Sequence, residues 1–163
     1  VIQQRKDGSV DFYRTWQEYK NGFGNATSEY WIGNDAIHAL TSSRNCELRI
    51  DMVDTNGSNL HAHYSNFYID DEAAQYVLHL SGFSGNTDNN LGDSHNMQKF
   101  TTKDQDNDQY YDNCGVLKQA GYWYGGCNSS NLNGNYKDGK CCKGFYWNSI
   151  TMLRKSTMMI RCH

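Results

Sequence analysis

From residue 84 to residue 146 the chain is mostly polar, carries glycine or asparagine every few residues, and has almost no periodicity. Irregular stretches of that length inside a compact domain are functional or ligand-stabilised. The scaffold must therefore come from residues 1–83 and 147–162. Those segments do carry periodic signals. Trp16, Tyr19 and Lys20 fall at helical spacing within 14–21, and Gly22 and Gly24 end that helix. NDAIHALTS predicts a second short helix, capped by Asn34 or Asp35 with Ile37 and Leu40 facing inward. CELRIDMVD alternates over 46–54 with Leu48, Ile50 and Met52 on one face, the mark of a half-buried strand. LHAHYSNFYI and YVLHLSGF add two strands around a short DDEAAQ turn or helix, and SITMLRKSTMMIRC closes with strand-like alternation. The expected fold class is α+β, a central antiparallel sheet with short helices and one long irregular region.

Composition narrows the function classes. At 163 residues the chain is one domain's worth, long enough to bury its own core. A net charge of −3 with scattered Lys and Arg gives no footprint for nucleic acid or an anionic membrane. No apolar run approaches the roughly 20 residues of a spanning helix. The opening VIQQRKDGSVDFYRTW has no signal-peptide pattern, which suggests a mature or trimmed chain. Proline is absent, so the turns fall to glycine and asparagine. A mean hydropathy of −0.84 with 13% aromatics describes a loop-heavy domain held by ring packing and disulfides. Six cysteines without a CxxC pair favour disulfides over zinc. Sequons begin at Asn25, Asn56 and Asn128, and with the cysteines they indicate a secreted, extracellular protein.

Candidate chemistry centres on KDQDNDQYYDNC, residues 103–114. An EF-hand counted from Asp104 fails, because position six is Gln109 and position twelve is Gly115. Asp106 and Asp108 still suit a hard cation, since two loop carboxylates two residues apart can share one ion; a solvated acidic loop is the alternative, and spacing alone leaves both open. His61 and His63 share a strand face, the minimum for zinc, but no third ligand is evident. The YWYGG aromatics read as core packing, and Met152, Met158 and Met159 as filler. No nucleophile elbow or triad spacing occurs, so no enzyme is expected.

The ordered segments RKDGSVDFYRTWQEYKNGFG, EYWIGNDAIHALT, ELRIDMVD, FTTKDQDND, the NC at 113–114, YWYGGCNSSNLNGNY and MMIR resemble the fibrinogen-related domains. That family includes ficolins, tachylectins, angiopoietins and the globular ends of fibrinogen. The resemblance covers nearly the whole chain and implies the fibrinogen C-terminal-like fold, without the family's N-terminal subdomain. It divides 1–163 into a sheet core, 1–83 and 147–162, and a calcium and ligand-binding region, 84–146. It implies Ca2+ on the side chains of Asp106 and Asp108 with backbone oxygens near Tyr110 and Asp112, while Asp104 ties the loop down outside the ion. It also implies a Cys114–Cys127 disulfide preceded by a cis peptide at Gly126–Cys127. Cys46, Cys141, Cys142 and Cys162 lie off the family pattern. Of their three pairings, we favour Cys46 with Cys162, leaving Cys141 and Cys142 as a vicinal disulfide or free thiols.

In the lectin members an acetyl group lies against aromatic rings beside the cis peptide. Here Asn128 stands where those members have histidine, and Lys118 where they have tyrosine. The resemblance would make the ligand site from Lys118, Gly126, Cys127, Asn128, Tyr136, Phe145 and Tyr146, with Tyr124 a further candidate ring. Lys118 suits a carboxylate or sulfate better than a methyl group, and a glycan on Asn128 would cover the pocket. Whether the pocket is competent or decayed stays open. The expected function is a secreted calcium-binding recognition lectin of innate-immune type, taking acetylated or anionic glycans on microbial surfaces, homo-oligomeric in the full-length protein. The alternative is a protein-binding ligand module that engages a receptor or peptide. A free donor between aromatic walls would favour the lectin. A pocket filled by its own side chains, with an exposed apolar patch at the acidic loop, would favour the protein binder.

Overall fold

The alternating 46–54 segment lies near the centre of the sheet. The computed structural model describes residues 1–139 and 143–163, so the expectation for Cys141 and Cys142 lies outside the described residues. Strand β1 is Gln3–Arg5, β2 Phe23–Gly24, β3 Tyr30–Trp31, β4 Cys46–Asp54, β5 Asn59–Ile69, β6 Leu78–Gly85, β7 Tyr146–Asn148 and β8 Thr151–Cys162. They form one antiparallel sheet in the order β2-β3-β1-β8-β4-β5-β6, with β7 joined to β8. Leu48, Ile50 and Met52 on β4 and Met158 on β8 are buried together, as strand alternation requires. Cys46 lies directly opposite Cys162 in the β4–β8 register, and the two form a disulfide.

Helix α1 (Trp16–Asn21) begins at a reciprocal cap. Thr15 Oγ1 accepts from Glu18 N at 3.3 Å, and Glu18 Oε1 accepts from Thr15 N at 3.2 Å. Thr15→Ala should therefore cost about 1 kcal/mol in a urea melt; an unchanged midpoint would mean the cap contributes nothing. Helix α2 (Asn34–Thr41) corrects the expected cap. Its N-cap is Gly33 at φ 112, with no side-chain cap bond. Asn34 instead accepts from Trp31 Nε1, and Asp35 accepts the Tyr76 hydroxyl. Ile37 is buried as expected, whereas Leu40 is 45% exposed.

The irregular region is a second layer against the sheet rather than an appendage. It contains two short helices, α3 (Asn90–His95) and α4 (Cys114–Leu117). It sends Leu91, Phe100, Tyr122, Trp123 and Tyr124 into the core, all fully buried. Phe100 and Trp123 pack at 5.3 Å between ring centroids, and both pack on Trp31 at 6.2 and 6.0 Å. No periodicity announces this layer, because its residues enter the core singly from loops.

Arg5 joins the two layers. Its buried guanidinium lies between the Phe12 and Phe145 rings at 4.0 and 4.8 Å. It donates to the carbonyls of Leu132 and Gly134 at 3.0 and 2.9 Å. Nearby, the buried carboxylate of Glu29 accepts the backbone N–H groups of Lys6, Asp7, Gly8 and Val10.

Candidate functional site

The acidic loop is fixed from beneath by side-chain amides. Asn107 Nδ2 donates to the carbonyl of Phe100, and Asn113 Nδ2 to those of Thr102 and Lys103. Asn113 Oδ1 caps α4 by accepting from Gly115 N at 2.8 Å. Asp104 lies outside the Asp106–Asp108 pair. Its Oδ1 accepts from Trp16 N and Thr102 Oγ1, both at 2.8 Å, which ties the loop to the first turn of α1.

Asp106 and Asp108 lie side by side. Asp106 Oδ1 accepts from Asp108 N, and the two oxygens of Asp108 accept from Tyr110 N at 3.0 Å and Cys114 N at 2.9 Å. Burial first, and the Asp106 charge after it, push the Asp108 carboxyl above the usual carboxylate range. Among the described residues neither aspartate forms an ion pair. Adjacent carboxylates of this kind are relieved by a hard cation, and each oxygen keeps a lone pair beyond its N–H bond. Among the described residues no three His, Cys, Asp or Glu side chains gather for a metal. A cation here would therefore draw on the two aspartates and backbone oxygens; Asp112 spends one carboxylate oxygen on Asn113 N. His63 is likewise committed, to Glu47 at 2.8 Å, and Glu47 is also held by Arg161 and His163.

Beside the loop, Cys114 and Cys127 form a disulfide and the Gly126–Cys127 peptide is cis. Behind them lies His95, which no sequence signal had marked. It is fully buried between a carbonyl and two amides. Nδ1 lies 2.8 Å from the Trp123 carbonyl, while Nε2 accepts from Ser129 N and Ser130 N at 3.2 and 3.3 Å. A carbonyl only accepts and an amide only donates, so the ring is the neutral Nδ1–H tautomer. Burial lowers its pKa to about 4.

The expected ligand pocket is only partly assembled. Lys118, Asn128 and Tyr146 do line one open groove, with Asp88, Asn148 and Ile150 among its other walls. Gly126 and Cys127 adjoin it in the chain without lining it. Tyr136 and Phe145 are elsewhere. Their rings stack at 5.7 Å, the Tyr136 hydroxyl donates to the carbonyls of Lys6 and Arg154, and Phe145 is buried under Arg5. Tyr124 is fully buried, with its hydroxyl on Asn131. The donor expected of Asn128 is also spent: Nδ2 donates to the Ser130 carbonyl and the Tyr146 hydroxyl, both at 2.9 Å. A sugar on that nitrogen replaces one of its two N–H donors and so breaks at least one of these bonds, which counts against Asn128 as a glycan acceptor. Asn25 and Asn56, by contrast, are exposed.

What the segment does present is apolar. Tyr110, Tyr111, Val116 and Leu117 are all exposed, Tyr111 to 89%, and the two tyrosine rings pack at 4.4 Å. The next residue, Lys118, caps α4 and enters the groove, so the patch and the groove adjoin along the chain.

The family model for the C-terminal globular domain of fibrinogen beta and gamma chains matches residues 1–163. Fibroleukin from Bos taurus is 45% identical over 155 residues, which is 90% of this chain and 35% of the relative. Angiopoietin-2 from Rattus norvegicus is 42% identical over 169 residues, 99% of this chain and 34% of the relative. The solved fibrinogen-like globe domain of human ANGPTL6 matches with a TM-score of 0.94 at 39% identity, over 99% of this chain and 76% of that one. Lamprey fibrin D-dimer, solved with the peptide Gly-His-Arg-Pro-amide, matches with a TM-score of 0.90 at 32% identity, over 98% of this chain and 60% of that one. The chain spans about a third of the length of the curated relatives it matches.

Proposed function

This chain belongs to the family of fibrinogen C-terminal globular domains, and from that premise we infer that it is an extracellular, non-enzymatic ligand module that binds another protein. The observation that carries the reading is the run of exposed apolar residues Tyr110, Tyr111, Val116 and Leu117, which leads along the chain into a groove where Asn128 spends its donor on Tyr146. Exposed aromatic clusters of this kind are typical anchors of protein interfaces. The likeness to fibroleukin and angiopoietin-2, and the peptide bound in the related lamprey fibrin, point the same way. The glycan-lectin expectation draws no support from these relatives, and of the rings it needed only Tyr146 lines the groove, while Tyr124, Tyr136 and Phe145 lie outside it. Among the described residues no helix is long and apolar enough to cross a membrane.

Calcium completes the reading. Asp106 and Asp108, with backbone oxygens of Tyr110 and Asp112, would hold the ion and keep the patch-bearing segment ordered. At a calcium concentration 100-fold above its Kd, EDTA should remove about 2.7 kcal/mol of stability, and Asp108→Asn should abolish that difference. An EDTA-insensitive melt would contradict the site. The module reading is tested by Tyr111→Ala, which should weaken binding to a partner ectodomain by about 2 kcal/mol at an unchanged melting temperature. Undiminished binding would move the interface elsewhere.

A further inference from the structure

We propose, resting on the protein-binding reading above, that Lys118 and Asp88 select a dipolar peptide segment: a basic side chain of the partner against Asp88 and a carboxylate against Lys118. Both residues line the groove beside Asn128 and Tyr146. Among the described residues the Asp88 carboxylate accepts only from neutral donors, Trp147 Nε1 at 3.1 Å, Asn148 Nδ2 at 3.3 and 3.4 Å, and Thr87 Oγ1 at 3.0 Å. These bonds fix where it points, because Trp147 is fully buried, and they leave its charge uncompensated. Lys118 caps α4, and among the described residues it too forms no ion pair. Two opposite charges thus share one groove without neutralising each other.

That arrangement discriminates between ligand classes. An anionic glycan satisfies Lys118 but brings its charge towards Asp88, a repulsive element built against it. A purely basic segment meets the converse problem at Lys118. A segment with one charge of each sign satisfies both, and Ile150, 89% exposed at the rim, adds an apolar contact. Asn128 Nδ2 is spent on the Ser130 carbonyl and the Tyr146 hydroxyl, so the charged selection falls to Lys118 and Asp88.

The test is fluorescence anisotropy of the folded domain in calcium buffer with five terminally blocked hexapeptides of matched length. They carry Arg then Glu, Glu then Arg, two Arg, two Glu, or no charge. One dipolar order should bind at least about fivefold more tightly than the other four, the worth of one well-placed exposed pair. Lys118→Glu and Asp88→Lys should each abolish that preference, and the double exchange should favour the opposite order; melting curves confirm that the variants fold. Equal binding by all five overturns the charge rule and leaves the peptide-binding reading standing. Preference for the doubly acidic peptide overturns the rule in favour of an anion site. Binding by none, with the fold intact, overturns both the rule and the groove as a peptide site.

Discussion

Acidification from pH 6.5 to pH 4 is expected to cost the folded state about 3 kcal/mol through one residue, His95. The imidazole is fully buried, and its Nε2 can receive the N–H groups of Ser129 and Ser130 only while it is neutral. Above pH 6.5 both the folded and unfolded chains hold it neutral, and the full contribution is present. Between pH 6.5 and about 4 the unfolded chain takes up a proton that the folded chain refuses. Stability then falls with decreasing pH by up to about 1.4 kcal/mol per unit. Below about pH 4 the folded state is protonated as well, and the loss stops growing. The depressed carboxyls of Glu18, Glu29 and Glu47 add their own losses only below their usual value of 4.5. His95→Gln keeps one donor and one acceptor but cannot titrate, so urea melts of wild type and variant across pH 5 to 7 isolate the effect. Parallel slopes for the two proteins would remove His95 from the account. Because Ser129 and Ser130 directly follow Asn128, the groove should loosen over the same pH window.

Removing the Cys114–Cys127 disulfide by a double replacement with alanine should cost about 3 kcal/mol, the chain-entropy worth of a bridge spanning a sequence separation of 13. The effect should not stop at stability. Cys114 N donates to Asp108 Oδ2, so the bridge anchors the residue that positions one of the two carboxylates proposed for calcium. Freed from Cys127, the first turn of α4 no longer holds that geometry, and calcium affinity should fall by about tenfold or more, as when an outer-shell partner is lost. Thermal melts with and without calcium, paired with calorimetric titration, separate the two effects. A variant that melts like wild type and binds calcium equally well would show that the loop amides, Asn107 and Asn113, hold the site alone.

The sheet was legible because its strands declare themselves locally. CELRIDMVD places Leu48, Ile50 and Met52 on one face whatever the rest of the chain does, and these residues are buried. The cap of α2 was misread because Asn34 and Asp35 have cap chemistry, yet Trp31 and Tyr76 claim their side chains and Gly33 supplies the turn at φ 112. For the acidic pair, spacing fits a solvated loop as well as an ion site, and it is the order of motifs that points to an ion. Tyr136 and Phe145 were misplaced because their positions are set by residues far away in sequence, Lys6, Arg154 and the guanidinium of Arg5. His95 and Asp88 carried no local signal. Each acquires its character only when a distant carbonyl, amide or indole N–H comes to meet it.

The most direct test of the central claim displays the multimerised domain, in calcium, on an array of extracellular protein ectodomains and on a glycan array side by side, as wild type and as Tyr111→Ala. The account predicts binding to one or a few ectodomains, lost in the variant and in EDTA, with no signal above background on the glycans. Calcium-dependent signal on acetylated or acidic glycans that Tyr111→Ala leaves intact, with silence on the ectodomains, would contradict it.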